Sequence, residues 1–124
     1  MAAPWWDATR ERRLLVQTCG ACGHRQHHPR LLCTNCGGTD ALGWTPCAGT
    51  GTVDSFTVVH RSPEPERQVP YVVARVRLTE GPILLTNLVG IEVDDSILGA
   101  GVVLAWSPLP DGRNLPVFTL ATEA

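Results

Sequence analysis

Four cysteines in two matched pairs are the residues of this chain whose spacing points most directly to chemistry. Cys19 and Cys22 form one Cys-x-x-Cys-Gly unit, and Cys33 and Cys36 form a second unit ten residues further on. Each unit turns tightly enough to aim two thiolates at one point, and the glycine after it can adopt the positive φ that closes the turn. Four sulfurs predict a tetrahedral metal site, with zinc as the expected metal. Because four sulfurs complete the shell, the metal is expected to be structural.

The remaining cysteine and the histidines are not expected to bind the metal. Cys47 stands alone beyond the second unit and is expected to be an inert small residue. Since four cysteines already complete the shell, His24, His27 and His28 are expected to be loop or partner contacts. His60 falls at a predicted strand end, where a lone histidine is more often a surface or interface residue than a base.

Length, charge and cysteine usage restrict the class of protein. At 124 residues, the chain forms one compact domain or two very small ones, helped by its metal. Its formal net charge of −2 falls to about −4 once four thiolates bind a zinc ion, which is the wrong sign for a dedicated nucleic-acid binder. The chain has no leader-like or membrane-length apolar segment, and its thiols are arranged for metal. We therefore expect a soluble cytoplasmic protein without a membrane partner.

The start of the chain is predicted to be a short amphipathic helix over residues 5–16, with Asp7 in its first turn. The tandem Trp5 and Trp6 are its unusual feature. Two indoles at a chain end dock either onto the protein's own core or onto an apolar groove of a partner. The sequence leaves both alternatives open.

The rest of the chain is predicted to be mainly β. After a cysteine ribbon over residues 17–47, runs of β-branched and aromatic residues predict strands, in the order 52–60, 71–78, 83–89, 102–106 and 116–120. Within 71–78, Val72, Ala74, Val76 and Leu78 share one face. A turn or helical insert is predicted at 94–99. Five short strands with an insert after the third predict a five-stranded Greek-key barrel of the OB type. The predicted division is a helical segment 1–18, a zinc ribbon 19–47 and an OB-fold 48–124.

The order of these motifs resembles the DUF35 family, and the resemblance covers nearly the whole chain. The tryptophan-bearing start and the cysteine ribbon are followed by Gly49-Thr50-Gly51-Thr52-Val53, which leads into a strand ending at His60. Further matches are Val69-Pro70-Tyr71-Val72-Val73-Ala74, the stretch Leu98-Gly99-Ala100-Gly101-Val102-Val103-Leu104 and the closing Pro116-Val117-Phe118. Members of the family join a helical segment and a rubredoxin-like zinc ribbon to an OB-fold.

The resemblance implies a non-catalytic accessory subunit of a thiolase-like acyl-CoA enzyme, in a hetero-oligomer built on a dimeric partner. Among these family members, the composition of the chain favours those that accompany retro-aldolases acting on a steroid side-chain CoA ester. This chain is then expected to be a separate subunit, without a hydratase domain of its own. Catalytic residues are then expected on the partner, with acyl-CoA at the interface. The residues expected to contact CoA or the partner are Trp5, Trp6, Gly49, Gly51, His60, Arg61, Arg67, Pro70, Tyr71 and Phe118. Of these, the candidates for the interface are Trp5 and Trp6, which are expected to be exposed, together with the 61–70 loop and Phe118.

Three other functions fit parts of the sequence. Zinc ribbons and OB-folds also occur in nucleic-acid-binding proteins, although this chain has no lysine and few aromatic residues to stack on bases. Iron in the same four-sulfur shell would make an electron-transfer protein. The resemblance also allows an accessory subunit of an acetoacetyl-CoA thiolase, a hydroxymethylglutaryl-CoA synthase or a MaoC-like hydratase.

Overall fold

The computed structural model describes residues 3–61 and 70–121. Within them, one α-helix is followed by eight strands. The elements are α1 (Ala3–Arg10), β1 (Leu15–Cys19), β2 (Arg25–Gln26), β3 (Leu42–Pro46), β4 (Thr50–Val59), β5 (Tyr71–Leu78), β6 (Ile83–Leu88), β7 (Gly101–Pro108) and β8 (Asn114–Leu120). A short 3₁₀ helix (Asp95–Ile97) lies between β6 and β7, inside the predicted insert. No helix within the described ranges combines the length and apolar character that a membrane span requires.

Helix α1 is shorter than the sequence predicted, and the expected helix over residues 11–16 is wrong. The helix ends at Arg10, and Arg12 adopts a left-handed φ of 58° that turns the chain away. After Arg13, the next three residues are Leu14, Leu15 and Val16, and all three are buried. A helix directs consecutive side chains around its axis, whereas a strand enclosed on both faces buries each of them. This apolar run therefore enters strand β1.

Strand β1 is the centre of a small antiparallel sheet among the described residues, in the order β2-β1-β3. It pairs with β3 from Leu15↔Pro46 to Cys19↔Leu42. The Cys47 N–H also donates to the Leu14 carbonyl, at 2.8 Å, where the chain leaves this sheet. The sheet thus supports the first cysteine unit at one end and leads into the barrel at the other.

Five of the described strands close a barrel in the order β4-β5-β6-β8-β7, with β6 and β8 parallel. This confirms the predicted OB architecture and the predicted strands, with ends that differ by a few residues. The four alternating side chains of β5, from Val72 to Leu78, are all buried, as predicted. Gly51 permits close packing of β4 on β5, since a Cβ there would lie 2.5 Å from the Arg77 carbonyl oxygen.

The barrel core and the N-terminal segment form one hydrophobic cluster. Phe118 of β8 is completely buried, and Trp5, Leu14 and Val16 belong to the same cluster as the barrel residues. Two hydrogen bonds attach α1 to β8: the Asn114 side-chain amide donates to the Thr9 carbonyl at 2.8 Å, and the Asn114 N–H donates to the Thr9 hydroxyl at 3.3 Å. The ribbon and the barrel are therefore held against each other by packing as well as by the chain.

Candidate metal centre and the clefts beside it

The four predicted metal ligands come together at one end of the small sheet. Cys19 is the last residue of β1, and Cys22 follows in a turn where the Gly23 N–H donates to the Cys19 carbonyl at 2.8 Å. The second unit repeats this turn, since the Gly37 N–H donates to the Cys33 carbonyl at 2.8 Å. Both glycines have φ near +80°, with values of 79° at Gly23 and 77° at Gly37. Each unit thus has the closing glycine that its sequence predicted.

The distances between the sulfur atoms fit a tetrahedral zinc ion. The four Sγ atoms lie within 4.8 Å of one another, with 3.8 Å between Cys19 and Cys36 and 3.6 Å between Cys22 and Cys33. A tetrahedron with Zn–S bonds of about 2.3 Å has sulfur–sulfur edges of about 3.8 Å. Zinc bound to all four sulfurs would have no coordination position left for a substrate, so its contribution here is structural.

Hydrogen bonds from residues of the second cysteine unit reach two of the sulfurs and orient them. The Asn35 N–H and the Cys36 N–H approach the Cys33 sulfur at 3.4 Å and 3.5 Å, and the Asn35 side-chain amide reaches the Cys22 sulfur at 3.5 Å. The Asn35 amide, followed by a backbone hydrogen bond at His24, lowers the pKa of Cys22 to about 6. Such donors around a metal site orient its ligands and set their basicity.

A buried pair of glutamines connects the second cysteine unit to the loop that follows β2. The Gln26 amide donates to the Gln17 side-chain oxygen at 2.6 Å, and that oxygen also accepts the Arg30 N–H at 2.8 Å. The Gln26 side-chain oxygen accepts the Thr34 N–H at 2.9 Å. Because these partners lie in the loop and in the second unit, the network fixes the 27–32 loop relative to the metal site.

A row of rings crosses the junction between the ribbon and the barrel. Trp5 packs edge-on against Trp6 with ring centroids 4.7 Å apart, and its other neighbour is His27 at 5.6 Å. His27 in turn lies 4.3 Å from His28. At the opposite end, the Arg113 guanidinium lies 4.7 Å from the centroid of the Trp6 ring. Trp5 therefore serves the protein's own packing, one of the two alternatives that the sequence left open, whereas Trp6 is half-buried.

Burial in this row lowers the pKa of His27 to about 4, and the nearby His28 and Arg30 act in the same direction. As the pH falls, the His27 imidazole is therefore protonated near pH 6.5 in the unfolded chain but only near pH 4 in the folded state. His27 then contributes stability above that pH, and the contribution is lost as the pH falls toward 4.

Lowering the pH from about 7.5 to about 5.5 is expected to reduce the unfolding free energy of both the native chain and His27→Phe. We expect the reduction to be about 1 kcal/mol larger for the native chain, after allowing for partial exposure of the ring. Phenylalanine keeps the ring contact with Trp5 but does not titrate. Urea unfolding of both proteins at the two pH values measures the difference. Equal pH slopes would show that His27 does not titrate as the packing requires.

Two adjoining clefts open where the ribbon loop faces the barrel. The first has a volume of about 250 Å³ and is mainly apolar. Its lining includes Trp5, Trp6, Pro29, Leu84, Leu115 and Pro116. The second, which we call the ribbon–barrel groove, has a volume of about 550 Å³. Its lining includes His24, Arg25, His28, Arg75, Arg77 and Leu85. His27, His28 and Leu85 belong to both linings, so the two clefts lie side by side.

Cys47 lies apart from the four-cysteine cluster and is a poor nucleophile. Burial, followed by the negative charge of Glu80, raises the pKa of the Cys47 thiol to about 12. The thiolate is the reactive form of cysteine, and it is scarce at neutral pH in such a setting. The predicted inert role therefore agrees with the surroundings of this residue.

The residues predicted to contact CoA or a partner fall into different environments. Trp5 is only 7% exposed, so the prediction that its side chain is exposed is wrong. Phe118, a candidate for the interface, is 0% exposed. Both are apolar residues that the barrel and its N-terminal helix use as core. Gly49 and Gly51 lie against the barrel. A Cβ at Gly49 would come to 3.0 Å from the Leu104 Cβ, and a Cβ at Gly51 would come to 2.5 Å from the Arg77 carbonyl oxygen.

The other predicted contacts remain predictions. Trp6 and Tyr71 are half-buried, and His60, Arg61 and Pro70 are exposed. The predicted 61–70 loop falls mostly on residues 62–69, which lie outside the described ranges. Arg67 lies outside the described residues. Sequence reasoning missed Arg25 and Leu85 as lining of the ribbon–barrel groove. Leu85 carried a weak signal, because it is apolar at a position of β6 that alternation with Leu84 directs outward.

Comparison with known proteins follows the same two parts of the structure. The family model for the ChsH2 rubredoxin-like zinc ribbon domain matches residues 6–42, and the model for the ChsH2 C-terminal OB-fold domain matches residues 44–107. A solved structure described as an Ltp2-ChsH2(DUF35) aldolase superimposes with a TM-score of 0.89 at 45% identity, covering 98% of this chain and 94% of that chain.

Two curated relatives are longer proteins. The chain is 46% identical over 116 residues to a probable enoyl-CoA hydratase alpha subunit of Thermomonospora curvata. This alignment covers 92% of this chain and 35% of the relative. It is 30% identical over 107 residues to the 3-oxo-4,17-pregnadiene-20-carboxyl-CoA hydratase alpha subunit of Mycobacterium tuberculosis, covering 86% of this chain and 34% of the relative. The chain thus spans about a third of the length of these two relatives. With its four-cysteine ribbon, its OB barrel and both family models matched, the chain belongs to the ChsH2 family of DUF35 proteins.

Proposed function

We propose that this chain is a non-catalytic accessory subunit of a thiolase-like acyl-CoA enzyme, a retro-aldolase acting on a steroid side-chain CoA ester. It stabilises the partner and helps to form the entrance for acyl-CoA. The observation that carries the proposal is the similarity, over nearly the full length of both chains, to a solved protein whose description joins ChsH2(DUF35) with Ltp2 in an aldolase. The steroid substrate class is supported by the name of the Mycobacterium tuberculosis relative, a pregnadiene-carboxyl-CoA hydratase subunit. A cytoplasmic location belongs to the same proposal.

The chemistry of a retro-aldol reaction explains why a partner is required. Cleavage of a β-hydroxyacyl-CoA breaks the bond between the α and β carbons. The β-hydroxyl gives up its proton and becomes a carbonyl, while the electron pair passes to the α carbon as a thioester enolate that is then protonated. A base, an acid and donors for the enolate oxygen are needed within reach of one substrate.

The described residues of this chain do not supply that set. His60 is exposed at the end of β4, and the Cys47 thiol has a pKa raised to about 12. His27, one of the two histidines that line both clefts, has its pKa lowered to about 4 and packs between rings. We therefore place the reacting groups on the partner. Zinc held by the four cysteines would fix the ribbon in shape beside the barrel, without taking part in the reaction.

The second candidate is an accessory subunit of a hydratase. It is favoured by the Thermomonospora curvata relative, which is named a probable enoyl-CoA hydratase alpha subunit. The two candidates differ in the enzyme that binds this chain. Hydratase activity adds water across a carbon–carbon double bond and breaks no carbon–carbon bond. Because hydration is reversible, the products distinguish them: only an aldolase converts a β-hydroxyacyl-CoA into a shorter acyl-CoA and a free carbonyl compound.

Co-expression with a thiolase-like protein from the same genome tests the proposal. We expect the two chains to co-elute in size-exclusion chromatography with a mass, from light scattering, of two copies of each. A MaoC-like hydratase from that genome serves as the comparison partner. If the thiolase-like protein elutes separately and the hydratase co-elutes, the second candidate replaces the first.

A further inference from the structure

The ribbon–barrel groove carries an excess of positive charge on a protein of opposite overall sign. Arg25, Arg75 and Arg77 line it, and no carboxylate belongs to its lining among the described residues. The formal net charge of the whole chain is −2. The nearest compensation for the two barrel arginines is Asp54, whose carboxylate lies 4.0 Å from each guanidinium. Exposed ion pairs at such a distance are weak, so most of this charge remains available to a ligand or a partner.

Backbone contacts hold two of these guanidinium groups in place. Arg25 donates to the Glu80 carbonyl at 3.5 Å, and Arg77 donates to the Gly81 carbonyl at 3.3 Å. The Glu80 carboxylate is engaged on its other side, where it accepts the Ala48 N–H at 2.9 Å. Guanidinium groups positioned in this way lose less conformational freedom when they pair with a carboxylate.

An exposed apolar side chain lies beside the two barrel arginines. Leu85 is 65% exposed, and it stands opposite Arg75 in the register of β5 and β6. Ile83 stands opposite Arg77 in the same pairing. Leu85 also lines the apolar cleft beside Trp5 and Trp6. An apolar anchor next to a cleft and surrounded by a charged rim is the usual organisation of a protein–protein hot spot.

We infer that the ribbon–barrel groove, with Leu85 in its lining, is the surface through which this chain docks on an acidic, apolar segment of the thiolase-like partner. The inference rests on the proposed function and names the surface that serves it. Charge complementarity selects the partner chemistry: carboxylates meet Arg25, Arg75 and Arg77, while an apolar side chain covers Leu85 and enters the adjoining cleft. The ring row and the glutamine pair keep the ribbon side of the groove in place.

The composition of the groove favours a protein over a single-stranded nucleic acid. OB barrels that bind single strands present aromatic side chains on which bases stack. The lining of the ribbon–barrel groove contains no tryptophan, tyrosine or phenylalanine among the described residues. Arginine without a stacking platform pairs with carboxylates as readily as with phosphates, and an exposed leucine adds affinity only against an apolar surface.

Matched substitutions test the surface in the complex. Leu85→Glu and the double change Arg75→Glu with Arg77→Glu are expected to weaken binding to the thiolase-like partner by about 100-fold in calorimetry. The controls are Leu98→Glu, which changes a leucine of 60% exposure outside the groove, and Arg13→Glu, whose side chain is 54% exposed. Both controls are expected to bind like the native chain, and all four proteins should keep one zinc ion and the native melting temperature.

Three outcomes would overturn the inference. If the native complex forms and the groove variants bind as tightly as their controls, the partner docks elsewhere, while the proposed function stands. If a fluorescent oligothymidylate binds the groove of the native chain at physiological salt and displaces the partner, the groove is a nucleic-acid site. If the native chain forms no complex with any thiolase-like protein of its genome, the proposed function is wrong, and the docking surface that depends on it is wrong as well.

Discussion

Replacing Cys33 with serine is expected to abolish zinc binding and to unfold the ribbon. Cys33 is completely buried, accepts hydrogen bonds from two backbone N–H groups and lies 3.6 Å from the Cys22 sulfur. Structural zinc contributes about 10 kcal/mol or more to the folding of small zinc modules. The ribbon sheet is too small to replace that contribution with its own core. Elemental analysis and a ¹H–¹⁵N correlation spectrum measure zinc content and loss of dispersion.

The control for this variant is Cys47→Ser, because Cys47 is a cysteine outside the cluster. It is expected to keep one zinc ion per chain and a native spectrum. The same elemental analysis distinguishes zinc from iron in the native protein, and an iron-loaded, coloured sample would support electron transfer instead. A Cys33→Ser protein that retains one zinc ion and full dispersion would contradict the four-sulfur site.

The second large effect is expected from Phe118→Ala, which should lower the unfolding free energy by about 4 kcal/mol. Phe118 is completely buried in β8, where it faces Leu104 across the β7 pairing and Leu88 across the β6 pairing. Truncation leaves a cavity where both strand pairs meet, and the close-packed barrel cannot collapse fully into it. Urea denaturation of the zinc-loaded proteins measures the change.

Leu98→Ala provides the comparison, since Leu98 is 60% exposed and its loss should change stability by less than about 0.5 kcal/mol. If Phe118→Ala costs no more than this control yet weakens partner binding, Phe118 lies at the interface, as the sequence first suggested, and its placement in the core is wrong. A large loss of stability supports the corrected assignment of Phe118 to the core.

The sequence predicted local features well because their signals are local. The two Cys-x-x-Cys-Gly units fix the geometry of the metal site within a few residues of each cysteine. The alternation of β5 predicts its buried face, and the strand order follows from the OB architecture. The helix prediction over residues 11–16 failed because Leu14, Leu15 and Val16 are buried by β3 and the barrel, a tertiary effect that periodicity over one turn does not reveal.

The clefts could not be predicted, because each is formed by residues distant in the chain. Arg25 of the ribbon meets Arg75 and Leu85 of the barrel only after the two parts pack together. Trp5 illustrates the same limit: its size and position are compatible with either docking or packing, and only the contact with His27 decides for packing. The exposure of Leu85 likewise depends on which face of β6 the barrel closes over.

The most direct test of the central claim is the steady-state rate of retro-aldol cleavage of a β-hydroxy steroid side-chain CoA ester by the thiolase-like partner. The rate should be measured for the partner alone, for this zinc-loaded chain alone and for the two together. We expect activity only in the mixture, with the chain acting as a required subunit and supplying no reacting group. Full activity of the partner by itself would contradict the account.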